Sequence, residues 1–490
     1  MSSSRSLKNK TVAGLSWSAV DAIAHQGITF LVGLVLARLL SPVEYGLIGM
    51  ITIFISVSNT IVDSGFSNAI IRKKKVCEVD YSTTFVFNIV LSVIMYAVLF
   101  LCSPLIADFF RQEQLTILTR VLGVVIIINS LAIVQRTKLV KSIDFKRQAK
   151  ISVASSTLSG VVGIVFAYCG FGVWALVAQQ ISRQLVNTIG LWLSARWVPS
   201  IKFSIQSFKY QFNYGWKLLV SQLLSTIWNE ASHIVIGRCY SSAALGQFTR
   251  AHQFSSLFST NLTGIVQRVS FPVLSSIQDD AARLKANYKK LIKNTMFLSF
   301  VGMLSLAACA KPLIFVLIGE KWSQAAEYLP ILCFNFMLYP VRAINTNMLQ
   351  VKGRSDKLLI LEVIKKTIAI GPLLLGVFVS IYWMLWGSFF AGIIGYILNS
   401  SFSGKYIQYK TWQQFVDVLP SLVFGLIVAG CMYCCTYIGL SNILTLAVQG
   451  LVGFSIIIVL GEAIKYGPYT EIKHIVLSQA KRIVLKKRRS

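Results

Sequence analysis

The chain has 490 residues, of which 55% are hydrophobic and only 13% charged, with a mean hydropathy of +0.66 and a formal net charge of +29. Soluble domains average about 25% charged residues, so a soluble enzyme or binding module is excluded and most of the chain belongs in lipid. A nucleic-acid binder is excluded as well, because it gathers its basic residues on one soluble face with aromatics between them, whereas here they fall between apolar segments.

Arg5, Lys8 and Lys10 precede the first apolar stretch, which runs on to Leu36, carries Asp21 in its middle and lacks a small-residue cleavage site. It reads as a retained first span rather than a signal peptide. A window of about 19 residues then places spans near 11–36, 45–64, 82–106, 115–135, 151–169 and 172–194, a first group of six. A short amphipathic stretch at Phe203 to Phe208 precedes a second six, near 211–237, 243–266, 291–317, 326–348, 358–380 and 383–402. Two more, near 417–438 and 442–463, complete an expected total of about fourteen. The expected fold is all-α: a polytopic membrane protein with an N-terminal lobe at 1–200, an interlobe linker at 201–210, a C-terminal lobe at 211–404, and a last pair of spans with a basic tail at 405–490.

Basic residues orient these spans, because Lys and Arg collect in cytoplasmic loops. Arg72 to Lys75 follow the second span, Arg136 to Lys150 include six after the fourth, and Arg283 to Lys293 hold five after the eighth. The opposite loops hold only Arg38, Arg111, Arg120, Arg238, Lys311 and Lys321. About 37 basic residues on one side against about 6 on the other put both termini in the cytoplasm and account for the net charge. The nine cysteines lie mostly in or beside apolar segments and read as small hydrophobes, and the four histidines make no ligand pair. No metal site and no cofactor are expected.

An internal repeat joins the two groups. "LARLLSPVEYGLIG" after Trp17 corresponds to "IGRCYSSAALGQFT" after Trp216, pairing Arg38 with Arg238, Ser41 with Ser241 and Gly46 with Gly246 at a shift of 199 to 200. Both copies cover a first span entering from the cytoplasm, so the repeat is parallel and implies two pseudo-symmetric lobes around a central cavity.

A charge at mid-bilayer costs about 2.5–3.5 kcal/mol on insertion scales, so intramembrane polar residues face the bundle interior or water. Ser18, Asp21, His25 and Thr29 share one face of the first span, and Lys217, Ser221, Ser225, Asn229 and His233 recur every four residues along the seventh, with Glu230 beside them. The eighth span adds Gln247, Arg250 and Gln253, and the sixth adds Arg183. Arg250, Lys217, Asn229, Gln247 and Arg183 are the candidates for substrate contact, and Asp21, His25 and Glu230 for coupling to H+ or Na+. Asp21 and His25 satisfying one another is the bland alternative, as is Lys217 snorkelling to the interface or Arg250 and Glu230 forming a gate. Arg342, Glu362, Lys365 and Lys366 read as solvated helix ends.

"LARLLSPVEYGLIGM" with "DSGFSNAIIRKK", "ALGQFTRAHQF" and "VSFPVLSSIQDD" resembles bacterial polysaccharide flippases of the multidrug/oligosaccharidyl-lipid/polysaccharide exporter superfamily, in the branch of colanic acid, teichuronic acid and lipopolysaccharide exporters. The resemblance runs from about residue 8 to 400 and implies transport, not enzymatic catalysis: an undecaprenyl-diphosphate-linked oligosaccharide is moved across the bacterial inner membrane by alternating access. Its implied partners are that lipid-linked oligosaccharide, membrane lipids, and a polysaccharide polymerase with other assembly proteins. A guanidinium grips two phosphate oxygens at once, which makes Arg250 the first candidate for the diphosphate. Related flippases of peptidoglycan precursor carry an Arg-Asp pair in the first span, where this chain has Val20-Asp21. The competing readings are a multidrug or cation antiporter of the same superfamily and a non-transporting scaffold of a polysaccharide assembly complex.

Overall fold

The computed structural model describes residues 24–195, 197–200 and 202–487. Across them the chain is a succession of α-helices joined by short turns, with no strand among the described residues. The first is α1, Ala24–Leu39. After it, the backbone N–H and hydroxyl of Ser41 both donate to the Glu44 carboxylate, at 2.5 and 2.9 Å, and Pro42 occupies the first helical position. These local signals start α2, Pro42–Asp63.

The DSGF sequence ends that helix. Ser64 and Gly65 adopt left-handed φ angles of 48° and 70°, and α3, Phe66–Arg72, follows. A Cβ on Gly65 would meet the Gly215 carbonyl oxygen at 2.9 Å, and one on Gly215 would meet the Ser64 carbonyl at 2.6 Å, so the elbow needs glycine for its angle and for its approach to a later helix. Phe66 fills the space behind it, stacked on Phe87 at 4.7 Å and edge-on to Phe208 at 5.9 Å.

Next come α4, Glu78–Phe110, α5, Leu115–Lys141, α6, Phe145–Tyr168, and α7, Val173–Ala195. α5 packs against α2, α4 and α7, burying Leu118, Leu122, Ile126, Ala132 and Val134. Then α8, Ile205–Cys239, runs along α2. Of the expected linker at 201–210, the part from Ile205 onward is therefore helical. The reason lies in Gln211, whose carbonyl accepts from Thr84 at 2.7 Å and whose amide donates to the Asp80 carbonyl at 3.1 Å, fastening the start of α8 to α4.

The chain forms two compact units, 1–246 and 247–490, with the division in the first turns of α9, Ser242–Ser276. In the second unit follow α10, Ala281–Ala308, α11, Ala310–Ile318, α12, Ser323–Phe336, and α13, Tyr339–Val351. The expected ninth and tenth spans are each broken, at Cys309 and at Met337–Leu338. The remainder are α14, Ser355–Phe378, α15, Ile381–Gly404, α16, Thr411–Cys434, α17, Asn442–Ile464, and α18, Gly467–Lys487. Phe297 on α10, Phe424, Val428 and Met432 on α16 and Tyr469 on α18 form one buried core of this unit.

Large apolar side chains cover the outside of these helices: Leu101 is 74% exposed on α4 and Leu451 70% on α17. Such faces belong in hydrocarbon, and the protein is an all-α polytopic membrane protein. Among the described residues eight helices are long and apolar enough to cross a membrane, against the fourteen spans expected. Of the others, α7, α8, α9 and α14 have 23, 35, 35 and 24 residues, ample in length. Their polar and charged residues make them less apolar than the eight, and three of the four carry candidate residues.

The repeat has a structural counterpart inside the first unit. Ser41 begins α2, and Ser241 begins α9, its hydroxyl accepting from the Ala244 N–H at 3.1 Å. A Cβ on Gly46 would fall on the Ser242 carbonyl, and one on Gly246 would fall on the Pro42 carbonyl. Equivalent glycines thus press on equivalent first residues.

Candidate functional site

α1, α6 and α7 bring three polar side chains together in the first unit. Arg183 Nη2 lies 2.5 Å from His25 Nε2, and His25 Nδ1 lies 2.6 Å from Ser156 Oγ. A guanidinium cannot accept, so Nε2 is the acceptor and Nδ1 carries the proton, which it donates to Ser156. The Ser156 hydroxyl donates in turn to the Ser152 carbonyl at 2.8 Å. The chain of donors fixes the ring's tautomer and leaves other N–H groups of Arg183, itself half-buried, for a further acceptor. Arg183 and His25 are therefore one arrangement, although the sequence put them in different roles. Asp21 lies outside the described residues.

A second polar row crosses the same unit. Gln184 donates to Asn129 Oδ1 at 3.0 Å, and Asn129 donates to Asn59 Oδ1 at 2.9 Å, linking α7, α5 and α2. Beyond Asn59 lies a cavity of about 330 Å³, lined by Asp63, Arg136, Thr137 and Gln222 among others. None of these residues stood out in the sequence. Arg136 reads there as one of many positive-inside residues, yet it lies within α5 and lines this cavity. The available signal was spacing: Asn59 and Asp63 are one turn apart on α2, as Asn129, Ile133 and Arg136 are along α5.

On α8, Glu230 Oε2 lies 3.4 Å from His233 Nδ1, with the two side chains 22% and 15% exposed. Lys217 and Asn229 are exposed, and the Lys217 ammonium lies 6.0 Å from the centre of the Trp216 ring. In the second unit the two candidates of α9 are enclosed. Gln247 donates to the Lys321 carbonyl at 2.7 Å and accepts from the Ala325 N–H at 3.0 Å, so its amide is committed to backbone and positions α9 against α12. Arg250 is only 6% exposed, donating to Gln253 and lying 6.0 Å from the centre of the buried Trp322 ring. Arg342, expected at a solvated end, has a buried Nε without a hydrogen bond and stands 5.1 Å from the Tyr339 ring centre. Among the described residues no group of three or more His, Cys, Asp or Glu could hold a metal ion.

A family model described as "Polysaccharide biosynthesis protein" matches residues 35–327, well over half of the chain. The chain belongs to the polysaccharide biosynthesis protein family. The match runs from the end of α1 into α12 and therefore covers the polar row, the DSGF elbow and the cavity beyond it. Within reach of this family, the chain is 25% identical to the lipopolysaccharide biosynthesis protein WzxC of Escherichia coli (strain K12) over 377 residues, 76% of each chain. It is 26% identical to the teichuronic acid biosynthesis protein TuaB of Bacillus subtilis (strain 168), over 72% of this chain and 73% of that one. It is 25% identical to the succinoglycan biosynthesis transport protein ExoT of Rhizobium meliloti (strain 1021), over 66% of each.

Solved structures extend the likeness in fold. The lipid II flippase MurJ in an inward closed conformation superposes with a TM-score of 0.73 at 13% identity, covering 92% of this chain and all of that one (100%). A multidrug resistance MATE family transporter in an inward-facing conformation gives 0.57 at 17% identity, covering 83% and 94%. At these identities the likeness is one of fold, shared by flippases and drug exporters alike.

Proposed function

We propose that this member of the polysaccharide biosynthesis family is a transporter, not an enzyme, and that it flips an undecaprenyl-diphosphate-linked oligosaccharide across the bacterial inner membrane. The observation that carries this is an arginine and a histidine, hydrogen-bonded to each other, inside a bundle whose outer faces are apolar. Moving a diphosphate and sugars through hydrocarbon leaves each polar group unsatisfied at a cost of several kcal/mol, and a polar interior opening in turn to the two sides replaces the lost hydration. The polysaccharide relatives support the sugar cargo, and the fold shared with a lipid II flippase supports a lipid carrier.

In this mechanism Arg183 takes the role first assigned to Arg250, meeting the diphosphate with the N–H groups that His25 leaves uncommitted. Lys217 and Asn229, exposed on α8, extend the polar path. An H+ or Na+ gradient drives the cycle by biasing one state through Asp21, His25 or Glu230, since a carboxylate that binds a cation changes the charge of the interior. Both termini face the cytoplasm, and polymerase and other assembly proteins receive the product.

The test is made in cells that depend on this protein for their surface polysaccharide. Depletion should strand lipid-linked repeat units in the inner leaflet, and Arg183→Ala protein, present at normal levels, should fail to release them. A scaffold predicts the reverse: Arg183→Ala would restore surface polysaccharide in full.

A further inference from the structure

The cavity between α2, α3, α5 and α8 has an unfilled complement of hydrogen-bonding groups. Arg136 makes no hydrogen bond or ion pair through its side chain among the described residues, and neither does Gln222. Asp63 accepts from Ser67 through Oδ1 at 2.6 Å, and its other oxygen accepts no hydrogen bond among the described residues. Asn59 uses its carbonyl on Asn129 and keeps its amide donors. Donors and acceptors are thus both uncommitted in the lining, to which Ile71, Ile133 and Val140 add apolar surface.

Charge narrows the ligand further. Arg136 and Asp63 are the two charged residues of the lining, so their formal charges cancel, and no ion pair joins them. An anion would be drawn to Arg136 and repelled by Asp63, and a cation the converse. A ligand whose hydroxyls each donate and accept, and whose ring carries C–H faces, fits the balance. We infer that this cavity is a sugar subsite, in which Asp63 and Arg136 hold neighbouring hydroxyls of one sugar residue, Gln222 and Asn59 hold further oxygens, and the apolar side chains cover the ring. A volume of about 330 Å³ is at the small end of ligand sites and suits one saccharide unit rather than a chain. The inference rests on the transport reading for its biological cargo, but the binding it asserts is measured without transport.

The experiment is saturation-transfer NMR on the full chain in lipid nanodiscs. The probes are methyl glycosides of a neutral hexose, an N-acetylhexosamine and a hexuronic acid, with empty nanodiscs as blank and ³¹P line width of inorganic pyrophosphate as the anion control. At least one glycoside should receive saturation from the wild type. That binding should weaken about tenfold in Gln222→Leu and again in Arg136→Gln, the loss expected for one hydrogen bond each. Gln222 makes no side-chain hydrogen bond among the described residues, so Gln222→Leu tests the site without unfastening the helices, and equal thermal midpoints confirm that. Three results overturn the assignment: no saturation transfer to any glycoside, which means a hydrated cavity only; transfer that both variants leave unchanged; or pyrophosphate broadening that depends on Arg136 while the glycosides are indifferent. Glycoside binding with no flipping of lipid-linked sugar would sink the transport reading and leave the subsite standing; flipping with no glycoside signal would do the opposite.

Discussion

Arg183 is held by His25, which is held by Ser156, and each link has a different weight. Replacing Ser156 by Ala removes one interhelical hydrogen bond, worth about 0.6 kcal/mol on average in a membrane, and should lower the thermal midpoint slightly. Replacing Arg183 by Ala removes a charged donor from the diphosphate, a loss of about 1.5–3 kcal/mol, so transport should fall at least about tenfold with the protein still folded. Arg183→Lys should recover little of it, because a point ammonium cannot keep His25 and reach two phosphate oxygens together. Unchanged transport in folded Arg183→Ala would remove this guanidinium from the path. At this scale the sequence was legible in part. His25 and Arg183 were visible as polar residues within spans, but their partnership crosses 158 positions and no local spacing encodes it. Arg250 was visible for the same reason, and only its packing against Trp322 shows that it is enclosed.

At the scale of helices, the repeat glycines and the tail helix make separate predictions. Gly46→Ala and Gly246→Ala each drive a methyl into a backbone carbonyl that cannot rotate away, so each should cost at least about 1–3 kcal/mol of stability, read as a fall in the unfolding midpoint in detergent. Gly264 has open space around its Cβ position, so Gly264→Ala on the same helix as Gly246 should be neutral or stabilising, by up to about 1 kcal/mol. Equal midpoints for Gly46→Ala and Gly264→Ala would contradict the reciprocal contact. α18 docks through Glu471, which accepts from Asn294 at 2.8 Å and pairs with Lys290 at 2.9 Å. Burial acts to raise this carboxyl, but the Asn294 and Lys290 contacts outweigh it and hold it below its ordinary value of 4.5. A depressed carboxylate stabilises docking above the ordinary range and loses that contribution as pH falls through its lowered value. Protection of the amides over residues 467–475, taken relative to the intrinsic exchange rate at each pH, should therefore fall on acidification below the ordinary carboxylate range, and Glu471→Gln should be poorly protected already at neutral pH. Protection independent of pH in the wild type would exclude the latch. Hydropathy places a span at α7, α8, α9 and α14 as it does at the other helices, but the polar and charged residues of these four leave them less apolar than the eight that stand out by composition.

For the whole molecule, the distribution of basic residues makes a topological claim that native cysteines can report. Cys77, Cys169 and Cys239 are all exposed, and each lies at a helix end. In single-cysteine proteins on intact cells, an impermeant maleimide should label Cys169 and Cys239 and spare Cys77, which follows the basic run at Arg72 to Lys75. Labelling of Cys77 alone would invert the orientation. The helical class and the family were legible because they depend on local sequence: capping at Ser41 and Ser241, the left-handed elbow at Ser64–Gly65, and apolar runs of membrane length. The cavity at Arg136 was not, because it is made by four helices whose polar residues are unremarkable one at a time.

The most direct measurement reconstitutes the purified protein into liposomes bearing a fluorescent undecaprenyl-diphosphate oligosaccharide in one leaflet, under an imposed H+ or Na+ gradient, and follows its arrival in the other. The account predicts transfer far faster than in protein-free liposomes, accelerated by one of the two gradients and lost in Arg183→Ala. Movement of cationic dyes with no movement of the lipid-linked sugar would contradict it and identify a drug exporter.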